Sequence, residues 1–510
     1  MKLDCFINIT SGLVRSLRIR GAILSCGLLI AISFSCQDLE EINTDPNRVT
    51  ETHPQLLLTQ NEWNAFHFNF GRGSMYAQKM LVQTDGESSG QYYKWDRGSF
   101  GAYSQMRDVI KMMEEANKIG NQSYVALGKF FRAYYFLNLT LTFGDIPYSQ
   151  ALQGEQQEEY APPGYDSQEA VFKGILSELS EANNLLAAEN TIIDGDIIYG
   201  GDGSKWRNAI NAFRLKVLMM LSEKSTDMEI ISEFRNIVEN QPLFEGIEDN
   251  AQLLFLDQEG NRYPDFNESS YGSGLYMDST FIRRLQERED PRLFIYSTQT
   301  KNSEDAGLKI DDFTSYEGGD PAAPYAEVNT KAANGKVSKP NPRYYSDPTN
   351  EPIILIGYAE QQLLIAEAIV RGWINGDAEE YYQDGVKASF QFYETYATGY
   401  ENYVSQAKAN EYLSKPINRL GEASSMEQKI EKIVMQQYLR SFLQSPWWPF
   451  YNHLRTGYPE FRRPNGVQIP KRWVYPQSEY DFNTDNVSSA IKNQYGDGND
   501  KISATPWWIK

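Results

Sequence analysis

Cysteine and histidine are scarce, at three of each in 510 residues. So few thiols and imidazoles leave little for zinc sites, redox pairs or histidine-based catalysis. Positive charge is in deficit as well: 48 Lys and Arg face 68 Asp and Glu, for a formal charge of −20. That balance excludes the dense cationic surface that displaces counterions from nucleic acid. The one long apolar run, Gly21 to Ser35, falls short of the roughly 20 residues a spanning helix needs. What the chain has in quantity is aromatic side chain, 13% of its residues, including 33 Tyr and 9 Trp. With 41% hydrophobic residues it can bury a real core, which excludes wholesale disorder. The rings exceed what such a core needs, so some are expected at the surface, available for binding. The length usually means more than one domain's worth of chain, although single large domains of this size occur.

The N-terminus reads as an address. Arg15, Arg18 and Arg20 precede the apolar run, which stops at Ser33-Phe34-Ser35-Cys36 and gives way to Gln37-Asp38-Leu39-Glu40-Glu41. A positive start, a short apolar stretch and small residues before a cut make a secretory signal. We read residues 1–35 as a lipoprotein signal peptide, Cys36 as the lipidated residue, and 36–54 as a polar tether. Phe34 departs from the smaller residue usual at its position; a plain signal peptide with an incidental Cys, or a tilted anchor helix, is the rival reading. Several acyl chains on Cys36 give stable anchoring where one is marginal. Cleavage there also removes Cys5 and Cys26, leaving no thiol for a disulfide within the mature chain.

Most of the remainder reads helical. Phe130, Tyr134, Leu137 and Leu141 follow helical spacing, and Phe131, Tyr135 and Leu139 make the opposite face apolar too, so this helix is expected to be buried. Gly120 ends the helix before it, and Gly144 with Pro147 ends this one. Asp166 and Glu169 form a capping pair for a helix through Leu186, and Ser204 can cap Trp206–Leu221. Ala359, Leu363, Ala366 and Val370 mark a later helix, with Asp377 starting its successor, and Ala366 and Gly385 are small enough for close packing. These antiparallel pairs resemble degenerate tetratricopeptide hairpins without a clean 34-residue repeat. Residues 245–350 and 444–510 read as long, aromatic-rich irregular stretches.

Few constellations suggest catalysis. Gly86-Glu87-Ser88-Ser89-Gly90 fits the G-x-S-x-G pattern, but that motif needs a strand before it and a helix after it. Here a helix-like run, Met75 to Gln83, precedes it, and His453 is the one downstream histidine, so a Gly/Ser loop is the plainer reading. Asp194, Asp196 and Asp202 form an acidic, glycine-rich loop that reads as a solvated turn more readily than as a calcium site. Asp497-Gly498-Asn499-Asp500 begins like a calcium loop but lacks the closing Glu. Aromatic rings in polar loops are more informative. Tyr92, Tyr93, Trp95 and Asp96 form one cluster; Tyr271 and Tyr276 lie in a second, and Tyr316 in a third. A flat ring stacks on the apolar face of a sugar while polar neighbours bind its hydroxyls.

Motifs in order along the chain carry a resemblance. Glu41-Ile42-Asn43-Thr44-Asp45-Pro46-Asn47 comes first, then Phe131-Arg132-Ala133-Tyr134-Tyr135-Phe136 with Phe143-Gly144-Asp145-Ile146-Pro147-Tyr148. Trp206 with Phe213-Arg214-Leu215-Lys216, Asp290-Pro291-Arg292-Leu293, and Tyr358-Ala359-Glu360 with Arg371-Gly372-Trp373 follow. Arg472-Trp473-Val474-Tyr475-Pro476 and Pro506-Trp507-Trp508 close the series. Together they resemble the SusD/RagB family of outer-membrane lipoproteins, in its SusD-like second subgroup. The resemblance implies a mostly α fold of four degenerate tetratricopeptide-like hairpins with a loop-rich half, as one domain over 55–510. It implies a non-enzymatic surface lipoprotein that binds an oligosaccharide and caps a SusC-like TonB-dependent transporter. A peptide or other nutrient is the alternative ligand, and a glycoside or serine hydrolase the more distant alternative function. It implies no cofactor. Loop aromatics supply ligand contacts in glycan-binding members, which directs attention to Tyr92, Tyr93, Trp95, Asp96, Tyr271, Tyr276 and Tyr316.

Overall fold

Helices dominate the chain because its apolar residues recur at helical spacing over long stretches. The computed structural model describes residues 52–67, 72–154, 161–189, 192–226, 228–272 and 274–510. Within these, His53–Lys510 form one unit. The signal segment, Cys36 and nearly all of the tether lie outside the described residues.

The first half is built from α1 (Pro54–Phe66), α2 (Ala102–Ile119), α3 (Gln122–Phe143), α4 (Gln168–Ala188), α5 (Gly203–Met220) and α6 (Ile230–Asn240). Helix α3 is the central member. Phe130, Phe131, Phe136, Leu137 and Leu141 are fully buried on more than one of its faces, as its all-round apolar sequence requires. It packs between α2 and α4. Arg132 on α3 donates two bonds of 3.0 Å to the Glu178 carboxylate on α4, so a motif residue joins two helices of the scaffold. Gly120 closes α2 in the left-handed conformation (φ 70°), which glycine adopts at no steric cost.

Two capping expectations change. Ser167, not the Asp166–Glu169 pair, caps α4 by accepting from the Ala170 N–H, while Asp166 accepts from the backbone of Tyr148 and Ser149. Asp202, not Ser204, caps α5, because its carboxylate reaches the N–H groups of both Ser204 and Lys205.

The second half adds β2 (Ala251–Leu253), β3 (Leu275–Met277), α7 (Ser279–Glu287), β4 (Ile353–Ile356), α8 (Tyr358–Val370), α9 (Ala378–Tyr396), α10 (Met426–Leu439), α11 (Trp448–Thr456) and α12 (Thr484–Tyr495). Asp377 caps α9 as expected. Helices α8 and α9 pack closely where Gly385 faces Leu363 and the Ala359 carbonyl; a Cβ there would sit 2.8 and 3.0 Å from them. Helix α8 also contacts α5 and α10, joining the halves. The run Met75–Gln83, expected to be helical, splits into a short helix, Arg72–Ala77, and strand β1 (Leu81–Gln83). Strand β1 pairs antiparallel with β3, Val82 opposite Tyr276, and β2 pairs antiparallel with β4. The alternation of a strand buries Leu275 and Met277 and leaves Tyr276 half-exposed. The irregular stretches are ordered by short helices and by these two small sheets.

Candidate functional site

The end of α3 organises the aromatic surface. The Trp473 N–H donates to the Thr142 carbonyl (3.0 Å), the Tyr475 hydroxyl donates to the Asp145 carbonyl (2.6 Å), and buried Arg472 donates to the Phe143 carbonyl (3.1 Å). The C-terminal motif is thereby docked on α3. It then receives the N-terminal loop: the Gly98 N–H donates to the Val474 carbonyl (2.8 Å) and Arg97 to the Tyr475 carbonyl (2.8 Å). A third segment is fixed by Gln78, whose amide donates to the Pro446 carbonyl (2.8 Å) and accepts from the Phe450 N–H (3.2 Å).

These three segments place three half-buried indoles together. Trp95 stacks on Trp473 with ring centroids 4.0 Å apart and planes 21° from parallel. Trp447 stands edge-on to both, at 5.4 Å from Trp95 and 4.8 Å from Trp473. Phe450 and Tyr93 pack beneath, 5.0 and 6.3 Å from Trp95. Among the described residues no acceptor takes the indole N–H of Trp95, Trp447 or Trp473, and none of these nitrogens is buried without a partner. Asp96, next to Trp95, is exposed, and its carboxylate likewise has no hydrogen-bond partner among the described residues. Rings and indole donors thus meet at one solvent-facing place, with an exposed carboxylate on the residue next to Trp95. Such a surface can stack on an apolar face while its polar groups take hydroxyls.

The other sequence candidates separate from it. Tyr92 is largely enclosed, with its hydroxyl donating to the Ala323 carbonyl (2.9 Å). Tyr93 is buried in a left-handed conformation (φ 54°) and donates to the Ala77 carbonyl (2.7 Å). Burial holds its phenol well above the ordinary value, so it serves as a neutral donor that anchors the loop. Tyr271 is buried, stacked 5.0 Å from Tyr345 and bonded to Asp265. Tyr93 and Tyr271 therefore brace the fold instead of facing solvent. Their hydroxyls have found protein acceptors, as buried tyrosines usually do.

Tyr276 and Tyr316 line a separate pocket of about 400 Å³. Its wall includes Phe294, Gln299, Glu304 and Tyr400. The Tyr316 hydroxyl donates to the Ile310 carbonyl (2.8 Å), whereas the Tyr400 hydroxyl accepts from the Asn341 amide (2.7 Å). Trp447, Trp473 and Tyr400 were not among the sequence candidates. Ser445-Pro446-Trp447-Trp448-Pro449, with rings between prolines, was the available signal for the first.

The catalytic and metal alternatives lose their groups to structural roles. Strand β1 does precede Ser88, but a turn follows it, and the Ser88 hydroxyl accepts from the Gln91 N–H (3.3 Å). One His453 ring nitrogen is bonded to the Pro459 carbonyl (2.8 Å). Asp196 accepts from the N–H groups of Ile198, Tyr199 and Gly201 and from the Trp206 indole. Asp500 is held by Arg472, Tyr480 and the Tyr475 N–H.

Comparison with known proteins identifies the family. The SusD-like family model described as starch-binding and associating with the outer membrane matches residues 46–476. A SusD homologue from Bacteroides fragilis NCTC 9343 is 54% identical with a TM-score of 0.86, covering 90% of this chain and 100% of its own. An outer-membrane protein from Bacteroides vulgatus ATCC 8482, described as involved in nutrient binding, is 52% identical with a TM-score of 0.87 over the same shares. A chitin-binding protein is 25% identical with a TM-score of 0.74, again over 90% of this chain and 100% of its own. No curated protein matches the chain. The family match spans most of the sequence, and the chain belongs to the SusD-like family of outer-membrane-associated binding proteins, which are not enzymes.

Proposed function

We propose that the protein is a surface-anchored lipoprotein that retains an oligosaccharide on the Trp95–Trp447–Trp473 platform and delivers it to a SusC-like TonB-dependent transporter. The platform is the observation that carries this reading. Three contiguous indoles whose N–H donors have no acceptor among the described residues, with exposed Asp96 next in sequence to Trp95, suit a stacked pyranose better than an extended peptide, which needs backbone partners along a strand edge or groove. The chitin-binding relative supports a carbohydrate ligand. The tyrosine-lined pocket offers a second place for sugar contacts from Tyr276 and Tyr316.

Lipidation at Cys36 would keep the protein at the outer membrane, with the platform presented to ligand outside the cell. A ligand touching both proteins favours the closed, delivering state of the transporter only if it binds that state better than the open one. Binding of the detergent-solubilised protein to a panel of chitin, starch and other oligosaccharides, with a peptide panel beside it, tests the ligand class. At least one oligosaccharide is expected to bind, and Trp473→Ala to weaken that binding. Binding to peptides alone would replace the carbohydrate reading with the peptide one. Recovery of a large TonB-dependent barrel in a pull-down from outer membranes tests the transporter partnership.

A further inference from the structure

Beneath the segment that carries Trp95 lies a buried ammonium with no part in the contacts described so far. Lys79 follows the short helix Arg72–Ala77, is fully buried, and adopts a left-handed backbone (φ 57°) rare for a lysine. Such a conformation persists where surrounding contacts over-determine it. Its Nζ donates to the Gln91 carbonyl and lies 4.2 Å from the centroid of the Tyr93 ring. Gln91 is itself buried, and its side chain accepts from the Gln83 N–H on β1 (2.9 Å). Gly90 backs onto the Gly73 carbonyl so closely that a Cβ would sit 2.4 Å from it. Lys79 therefore grips the residues leading directly into Trp95, by one charge-assisted bond and one cation–π contact.

The countercharge that acts on Lys79 is Asp278, also fully buried. One of its carboxylate oxygens caps α7, accepting from the Thr280 N–H and hydroxyl at 2.6 Å each, while the other has no hydrogen-bond partner. Lys79 and Asp278 sense each other without forming a direct ion pair. Arg463 also faces Lys79, Arg284 faces Asp278, and the Tyr438 hydroxyl donates to the Lys79 carbonyl (3.1 Å). Both charges are thus buried with incomplete compensation. Burial drives Lys79 down to about 7 against the pull of Asp278, and drives Asp278 up to about 7.

We propose that Lys79 is a positioning residue for the tryptophan platform: its charged ammonium holds the Gln91–Trp95 segment in place, and loss of that charge loosens the segment and the Trp95–Trp473 stack. This rests on the platform being the binding site, although its test needs no ligand. Because the lysine is lowered in the folded protein, its grip is complete below about pH 6 and is released as pH rises through about 7. Asp278 works in the opposite sense, since its ionisation favours the charged lysine, so the two protons leave in separate steps that belong to the pair.

The experiment follows near-UV circular dichroism and acrylamide quenching of the full-length protein from about pH 5.5 to 9, with Trp95→Phe identifying the platform's share of the signal. The platform signal is expected to change once, around neutrality. Lys79→Met should give the high-pH signal throughout, and Lys79→Arg, always charged, the low-pH signal throughout. Asp278→Asn should move the midpoint to lower pH, because the charged lysine loses its support. A flat wild-type curve, or a Lys79→Met protein that titrates like the wild type, overturns the proposal. If Lys79→Met does not fold, the wild-type curve and the direction of the Asp278→Asn shift decide. A protein that titrates as stated yet binds no oligosaccharide would refute the ligand reading and leave the positioning role intact.

Discussion

The indole of Trp473 lies face to face with that of Trp95, 4.0 Å away, although 378 positions separate them in the chain. Both are delivered to that contact by backbone bonds around the end of α3, and neither is wholly buried. Aromatic contacts of this kind contribute about 0.5–1.5 kcal/mol each. Trp473→Ala is therefore expected to weaken oligosaccharide binding about tenfold, measured by isothermal titration, with the fold retained by far-UV circular dichroism. Tyr271→Phe, buried and distant in role, should leave the affinity unchanged.

Gly90→Ala should act on the same site from behind. The added methyl meets the Gly73 carbonyl at 2.4 Å, and a backbone group cannot swing aside as a flexible side chain can. The loop into Trp95 must shift. A loss of about 1–3 kcal/mol in urea unfolding is expected, together with weaker ligand binding. Unchanged stability and affinity would contradict the close approach.

The buried ion pair between α8 and α11 gives a third test. Glu367, fully buried, accepts from both terminal guanidinium nitrogens of Arg455, and from Arg371 at 2.8 Å. These partners hold its carboxyl below the usual range against burial. Arg455→Met leaves a buried carboxylate short of its main partner and is expected to cost about 3–5 kcal/mol. The Arg455→Met, Glu367→Met double variant should lose less than the sum of the two single changes in a double-mutant cycle.

Glu62 predicts a pH dependence. Its carboxyl is raised well above the ordinary value, first by burial and then by Asp196. The folded state therefore holds a proton that the unfolded chain releases above about pH 4.5, so this group's contribution to stability falls as pH rises from there. Glu62→Gln mimics the protonated form and should gain stability relative to wild type between pH 5 and 8 in urea melts. A constant difference across that range would contradict the shift.

His453 acts in the opposite direction. Burial lowers its imidazole to about 4, so the folded protein keeps it neutral where the unfolded chain protonates. Its contribution is complete above about pH 6.5 and is lost as pH falls toward 4, by about 3 kcal/mol. His453→Asn should flatten that part of the acid limb of the stability curve.

The helical scaffold was legible in the sequence because its signals are local. The double apolar face of α3, the Asp377 cap and Gly120 each act within a few residues. The caps at Ser167 and Asp202 were misplaced by one or two positions, since several oxygen-bearing residues there could reach the same N–H groups and only loop geometry chooses between them. The candidate site was half legible. Trp95 and Tyr276 stood out as rings in polar loops, but sequence cannot distinguish them from Tyr93 and Tyr271, whose hydroxyls found acceptors inside the fold. Trp447 and Trp473 escaped because the platform exists only once α3, the C-terminal motif and the Gln78 contacts bring three remote segments together. Lys79 gave no signal at all, as its burial depends on β3 and α10 closing over it.

Hydrogen–deuterium exchange on the full-length protein, with and without a saturating oligosaccharide that binds it, tests the central claim most directly. Protection is expected in three separate stretches: 91–98, 445–450 and 472–475. Protection confined to 294–342 and the neighbourhood of Tyr400 would move the site to the tyrosine-lined pocket and contradict the platform.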